Sequence, residues 1–523
     1  MLQLLSVRSK EPTTGAHDHL SLRKGLAALA LPIALNGFVG FSVGSALAAI
    51  AWSGYHWLIN RHYGHETSSA YGEAKWASAR ELKAAGLFSN DGIVIGRHQR
   101  RMLRFRTDRH LLTLAPNRAG KGVSAIIPNL LTWPGSMIVI DPKGENTVVT
   151  ARQRLAMGQH VYVLDPWGIT GLPQSRFNPL LELHPDDEDL IEDAALLAES
   201  LVVPSSKAED EFWNGEARSF IAGLIMHIVT TEIPRHRNLG TLRHFLTLGD
   251  EDFATLLADM LKNSAAFGLV ARTAQRLLQK TDRERSGVVS TAQSQTHFLD
   301  SPRMTDVLSD SDFGLKAIKP TGTTIYLVLP TDRLATHGRW LRLVIGLCVS
   351  ALTRDRTSPE YPVLFLLDEF AALGRLQVIE TALGLLAGYG VLLWPILQDL
   401  AQLQDLYPKR WRSFVANAGM VQAFGVNDIG TAEYLSKALG QRTAIVRHHG
   451  RSGEPHRPQG SENFSPMARP LLMPQEIMRM PWHQQLILLN GERPIACTRV
   501  RYYAEPEFEG MFDANPMISG YSG

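Results

Sequence analysis

Along the chain, short continuous apolar runs alternate with longer stretches in which apolar residues recur at helical spacing. The short runs predict strands at 110–114, 136–140, 160–164, 323–329, 363–367, 391–397, 420–425 and 485–489. They are bounded by Gly, Pro or Asp and are continuous rather than alternating, the pattern of strands covered on both faces of a parallel sheet. Upstream, "GIVIG" and "RMLRF" predict a hairpin leading into "RHLLTL". Strands separated by helical stretches give an α/β nucleotide-binding architecture.

The alternation is interrupted over 182–300. This stretch opens on acidic clusters ("HPDDEDLIED", "KAEDEFWNGE") and continues with helical periodicity ("FIAGLIMHIV", "FATLLADMLK"), so it reads as an inserted all-α domain. The run "FIAGLIMHIV" is too short to span a membrane and is expected inside that domain. A second interruption, "VRHHGRSGEPHRPQGSENFSPMARP" (446–470), is rich in Gly, Pro, Ser and His and has no apolar period; it is expected to be a mobile loop.

The N-terminus differs from both. From Gly25 to Asn60 there is no Asp, Glu, Lys or Arg. A membrane span needs about 20 apolar residues, so the run is ample for one and short for two. One span starting near Pro32, with Trp52, Tyr55 and Trp57 as an interfacial belt, is the favoured reading. A cleaved signal peptide would export everything downstream, away from the nucleotide that the rest of the chain is built to bind. The expected division is a polar segment (1–24), a transmembrane anchor (25–60), the nucleotide-binding domain in two parts (61–181 and 301–510), the insert (182–300) and a C-terminal tail (511–523).

Composition adds little to this. The 523 residues are 45% hydrophobic and 20% charged, as expected of a folded chain, and the net charge of +2 neither favours nor excludes nucleic acid. Cys348 and Cys497, the only cysteines, sit in apolar runs, so buried thiols are expected and a disulfide framework is not.

The chemistry concentrates at "LAPNRAGKGVS" (114–124). Strand, small-residue loop and amphipathic helix follow one another, as a phosphate cradle requires. Backbone N–H groups of Ala115, Pro116–Asn117, Arg118, Ala119, Gly120, Lys121, Gly122 and Val123 (proline having none) would wrap the phosphates, and Lys121 would reach the β- and γ-phosphates. Such loops normally follow the lysine with a Ser or Thr whose hydroxyl holds Mg²⁺; here the position is Gly122, and Ser124 lies on another face of the helix. The metal must then lean on a carboxylate and water. Predicted strands end in Asp141, Asp165 and Asp368, and only Asp368 is followed at once by a second carboxylate, Glu369. Asp368 is therefore expected to hold Mg²⁺ and Glu369 to polarise the attacking water. Gln398, near the end of the next strand, is placed either to sense the γ-phosphate or simply to cap the loop.

Taken together, "LAPNRAGKGVSAIIPNLLTWPGSMIVIDPKGEN", "FWNGEARSFIAGLI", "LPTDRLATHGRWLRLVI", "LLDEFAALGRL", "LQDLAQLQDLY" and "FGVNDIGTAEYLSKALG" resemble the VirD4/TraG family, the coupling proteins of bacterial type IV secretion and conjugation. The likeness runs from about residue 90 to about residue 505. Gly-Lys-Gly is common in that family, so the resemblance implies that Gly122 does not mark a dead site. It also implies a RecA-like P-loop ATPase domain with an inserted all-α domain, an N-terminal transmembrane anchor in the bacterial inner membrane, and a homo-hexameric ring. ATP and Mg²⁺ are the implied cofactors. The implied partners are a relaxosome or relaxase with single-stranded DNA, effector proteins, and inner-membrane components of the secretion channel. Lys121, Asp368, Glu369 and Gln398 match the family's loop lysine, acidic pair and downstream glutamine. Family members commonly carry two membrane spans, which this run barely accommodates. Ring motors complete a neighbour's site with an arginine, for which Arg375, Arg410 and Arg412 are candidates. A nucleotide-gated docking receptor that is no motor, and a coupling protein for effector proteins alone, are the alternatives.

Overall fold

The structure, a computed structural model, describes residues 71–203, 208–452 and 459–517. The expected anchor at 25–60 lies outside them. Among the described residues no helix is long and apolar enough to cross a membrane. The chain divides into two compact units, Ala74–Gly440 with Pro470–Gly523, and Met1–Glu73 with Gln441–Arg469.

The larger unit is built on β1 (Ile93–His98), β2 (Arg101–Phe105), β3 (His110–Leu114), β4 (Met137–Asp141), β5 (His160–Leu164), β6 (Thr323–Val328), β7 (Val363–Leu367), β8 (Val391–Leu397) and β9 (Ala418–Ala423). Two strands of the smaller unit follow, β10 (Gln441–Ser452) and β11 (Gln459–Pro470); then β12 (Gln484–Leu489) and β13 (Ile495–Thr498) return to the larger one. Its eleven strands run in the order β2-β1-β13-β12-β9-β3-β8-β7-β4-β6-β5. From β9 to β5 every pairing is parallel, whereas β12, β13, β1 and β2 continue the sheet antiparallel.

The continuous apolar runs have the meaning expected of them. In β7, Val363, Phe365 and Leu367 enter one core while Leu364 and Leu366 enter another; β4 divides in the same way, with Ile138 and Ile140 against Met137 and Val139. Side chains alternate across a strand, so only a sheet covered on both faces buries such a run. Several polar groups inside are paired with one another. Trp394 Nε1 donates to Thr113 Oγ1 (2.9 Å), Thr113 to Gln422 Oε1 (2.9 Å), Gln422 Nε2 to Gln485 Oε1 (2.8 Å), and Gln485 Nε2 to the carbonyl of Ile95 (2.8 Å). This chain of bonds crosses β8, β3, β9, β12 and β1 and ties the antiparallel edge to the parallel half in one register.

Helices α1 (Ile127–Thr132) and α2 (Glu145–Ala156) follow β3 and β4. Between β5 and β6 stand α3 (Leu190–Leu201), α4 (Ala208–Thr231), α5 (Leu239–Leu246), α6 (Asp250–Lys262), α7 (Leu269–Leu278) and α8 (Asp282–Thr296), with the shorter Pro302–Val307 behind them. "FIAGLIMHIV" is the C-terminal part of α4 and is buried throughout, because α4 runs through the middle of the insert. Gly223 is required there: a Cβ would lie 2.4 Å from Thr273 Cγ2 of α7. The insert shares one continuous core with a face of the sheet, and α9 (Leu334–Arg354), on the sheet side, packs on α3.

The stretch 446–470, read as a loop, carries parts of β10 and β11, which pair as a two-stranded ribbon. A ribbon held by backbone bonds needs no apolar face of its own, so it leaves no period in the sequence. β13 is a second element missing from the sequence reading. It is four residues long and alternates buried Ile495 and Cys497 with exposed Ala496 and Thr498.

Candidate nucleotide site

The strand order decides which loops meet. β3, β8, β7 and β4 are adjacent and parallel, so the segments after Leu114, Leu397, Leu367 and Asp141 all emerge at one carboxyl edge. That edge is where ligands of open α/β sheets bind. A cavity of about 730 Å³ opens there, lined among others by Arg118, Lys121, Asp141, Asp368, Glu369 and Gln398.

The loop after β3 is shaped to present amides. Ala115 N–H continues the ladder to the carbonyl of Leu397 (2.8 Å), and Ala119 N–H closes a turn on the carbonyl of Pro116 (3.2 Å). Arg118 and Gly120 then take left-handed backbone, with φ of 62° and 86°. Left-handed residues alternating with right-handed ones turn successive N–H groups toward one point, a concavity for anions. The first helical turn, Gly122–Ile126, is π-type: Ile127 N–H reaches the carbonyl of Gly122. Such a widened turn is found mostly at functional positions. Arg499, which follows β13, donates to the carbonyl of Ala119 and stacks its guanidinium over Phe424, 4.9 Å from the ring centre. It braces the outside of the loop from about 380 residues away, and nothing in the sequence announces it.

Opposite the loop lies the acidic pair. Lys121 Nζ is 2.8 Å from Glu369 Oε1 and 3.5 Å from Asp368 Oδ1. These side chains are 10%, 26% and 17% exposed, so the ion pairs are shielded but reachable from the cavity. Gln398 Nε2 donates to the other Glu369 oxygen, Oε2, at 3.3 Å, and Gln398 N–H is fixed by Gln402 Oε1 at 2.9 Å. Glu369 itself is left-handed, with φ 54° and ψ 47°. For a residue with a side chain this is strained by roughly 1–3 kcal/mol and persists only where its surroundings hold it, typically at functional sites. Here Lys121 and Gln398 hold one carboxylate oxygen each.

Asp141 also comes to the site, because β4 is the neighbour of β7. Thr147 donates to Asp141 Oδ2 from its N–H and its hydroxyl, both at 2.7 Å, while Lys143 N–H (3.4 Å) and Asn146 Nδ2 (3.5 Å) face Oδ1. Burial pushes its pKa up to about 6, with the Thr147 bonds opposing and the Asp368 charge adding to the rise. Asp368 is likewise pushed up by burial, with Lys121 pulling the other way. Lys121 sits beside Asp368, whose charge in turn is felt at Asp141, so a further cation here would relieve the repulsion between the two carboxylates. Asp165, just after the edge strand β5, accepts from Thr170 and does not line the cavity.

Mg²⁺ fits this set of donors. Among the described residues no three His, Cys, Asp or Glu side chains form a metal cage. A cation bound here therefore depends on the phosphates and water of its ligand plus one or two protein oxygens, which is how Mg²⁺ is usually held. Asp368, at a strand end inside the cavity, is the carboxylate placed for it. Asn117, Arg118, Gly120, Lys121, Gly122 and Val123 of the loop line one cavity with Asp368, Glu369 and Gln398, whereas Ala115, Pro116 and Ala119 do not line it. Of the candidate arginines, Arg375 pairs with Glu380 (2.7 Å), Arg410 lies 3.9 Å from the same carboxylate, and Arg412 stacks on Trp411; none lines the cavity of its own chain.

The model of the family described as "Type IV secretory system Conjugative DNA transfer" matches residues 75–517. The conjugal transfer protein TraG of Escherichia coli is 28% identical over 458 residues, which span 79% of this chain and 71% of that protein. The protein VirD4 of Agrobacterium fabrum is 28% identical over 465 residues, 85% and 67% of the two chains. Among solved structures, the plasmid coupling protein TrwB in complex with ADP and Mg²⁺ superposes with a TM-score of 0.61 at 18% identity, covering 82% of this chain and 94% of that one. At that identity the likeness speaks for the fold alone, an α/β body with an all-α domain.

Proposed function

Since the chain belongs to the type IV secretory system conjugative DNA transfer family, we propose that it is a coupling ATPase. In this reading it is anchored in the bacterial inner membrane by 25–60, with its ATPase domain in the cytoplasm. It recruits a relaxase with single-stranded DNA and drives or licenses its passage into a type IV secretion channel, working as a homo-hexamer. ATP with Mg²⁺ is the cofactor, in keeping with the ADP and Mg²⁺ of the TrwB complex.

The observation that carries the proposal is the shared engagement of Lys121 and Gln398 with Glu369. A triphosphate seated on the loop competes for the Lys121 ammonium, because phosphate oxygens and the Glu369 carboxylate seek the same cation. Once Lys121 turns to the phosphates, Glu369 Oε1 is free to take a proton from water, while Gln398 keeps Oε2 fixed. Bound Mg²⁺ neutralises charge on the phosphates. The residues therefore couple triphosphate arrival to release of the base, and Gln398, on the neighbouring strand, registers the change. If Lys121→Ala left ATP hydrolysis and conjugative transfer intact, the assigned site would be wrong. Glu369→Gln separates a motor from a docking receptor: transfer should stop with hydrolysis, whereas full transfer without hydrolysis favours the receptor.

A second reading has its own observation. Asp186, Asp187, Glu188 and Asp189 are exposed at the start of the insert. Such a cluster repels DNA phosphates and suits a basic protein segment, so the insert is the surface on which a relaxase or an effector protein would dock. Crosslinking from the insert in cells distinguishes the two cargoes: relaxase with DNA, or an effector without it.

A further inference from the structure

Gly122 leaves a chemical gap, since the hydroxyl that commonly follows the loop lysine and reaches the metal is missing. Crowding does not explain the glycine. A Cβ at this position would have a single neighbour within 4 Å, Asn146 Oδ1 at 3.7 Å, an ordinary contact, and the φ of Gly122 is not in the left-handed range. A serine would fit. What faces the empty position is thus an oxygen, carried by the first turn of α2.

Asn146 is only 4% exposed, yet it lines the same cavity as Lys121 and Asp368. Its Nδ2 points to Asp141 Oδ1 at 3.5 Å, which turns Oδ1 the other way, toward Gly122. Asp141 does not depend on this bond, because Thr147 holds it twice at 2.7 Å. Among the described residues no protein donor is recorded on Asn146 Oδ1. The oxygen of this largely buried side chain is open to the cavity, which Asp368, a carboxylate suited to a divalent cation, also lines.

We infer that Asn146 Oδ1 takes the part of the missing hydroxyl and supplies the second protein oxygen, beside Asp368, to the Mg²⁺ shell of the bound nucleotide. Neutral amide oxygens are ordinary ligands for hard cations. The inference rests on the nucleotide-site reading and extends it to a residue outside the loop and the acidic pair.

The test uses the full-length chain with ADP and Mn²⁺ as probes. ADP affinity is measured in EDTA and across a Mn²⁺ titration, with free Mn²⁺ counted by electron paramagnetic resonance. In EDTA, Asn146→Ala should bind ADP as the wild type does. With Mn²⁺ it should need roughly tenfold more metal for the same occupancy, the scale of a lost supporting contact. Adding Gly122→Ser should bring the requirement back, since a hydroxyl then returns to the usual position. Should Asn146→Ala fold poorly, Asn146→Asp keeps an oxygen and should match the wild-type requirement or fall below it. An unchanged Mn²⁺ requirement in Asn146→Ala, an equal loss of ADP affinity in EDTA, no recovery with Gly122→Ser, or a tenfold rise in Asn146→Asp would each overturn the inference. Failure of the wild type to bind ADP at all would instead overturn the nucleotide site itself.

Discussion

The cavity at the carboxyl edge of the sheet measures about 730 Å³, and a second cavity inside the helical insert, lined by His227, His244 and Asp259 among others, about 880 Å³. Both contain acidic and basic side chains, but they use them differently. In the insert the charges are settled locally: Lys262 pairs with Asp259 three residues before it, Glu232 with His236, and His227 Nδ1 faces Asn263 at 3.2 Å. At the sheet edge, Lys121, Asp368, Glu369 and Gln398 come from three separate loops and meet over one space. Local pairing satisfies a helix surface, whereas convergence from distant loops costs chain entropy and strained backbone at Glu369, which only a function compensates. Size alone would have picked the wrong cavity.

The comparison breaks most easily at Lys121. Lys121→Ala should lower ATP turnover about a thousandfold or more, since it removes both the phosphate ligand and the partner of Glu369. His227→Phe, in the larger cavity, should leave turnover within about twofold; phosphate release from both variants checks the pair. Next in size, Gln398→Ala should lower turnover roughly tenfold while ADP affinity stays within about twofold, because Gln398 orients Glu369 and not the nucleotide. A fall in ADP affinity of the same size would instead place the amide on the ligand.

The two cavities should also respond to acid with opposite signs. The pKa of Asp141 is raised, so the native chain holds that proton more tightly than the unfolded one. Its contribution to stability therefore falls as pH rises from about 4 to about 6 and is level above, a change on the order of 3 kcal/mol. Burial lowers the pKa of His227 below its ordinary 6.5, so the unfolded chain takes up the proton first. Its contribution is complete above 6.5 and is lost as pH falls below that value. Denaturant unfolding across pH 4 to 8, compared with Asp141→Asn and with His227→Phe, reads each contribution as a difference. Two differences of the same sign would contradict the assignment of their environments.

Much of the architecture was legible because burial on both faces leaves uninterrupted apolar runs. Val363–Leu367 and Val391–Leu397 are strands with the predicted bounds, and the β12 run begins one residue before its prediction. Two elements were not legible: the β10–β11 ribbon carries no apolar period, and β13 is only four residues long and buries only Ile495 and Cys497. In the site, Lys121, Asp368, Glu369 and Gln398 stood out by their position after strands. Asp368 stands out over Asp141 in the sequence because a second carboxylate follows it at once, and chain order does not reveal that β4 lies beside β7 and brings Asp141 to the same site. The insert of helices between β5 and β6 hides that adjacency further. Asn146 and Arg499 had no signal, since their meaning depends on which backbone atoms face them in space.

ATP turnover and ATP binding by Glu369→Gln, measured side by side on the full-length chain, test the central claim most directly. The account predicts that ATP still binds, as tightly as or more tightly than in the wild type, because Lys121 loses its competing partner, and that turnover falls at least a hundredfold. Turnover equal to the wild type would contradict it, because the carboxylate that Lys121 and Gln398 hold between them would then take no part in the chemistry.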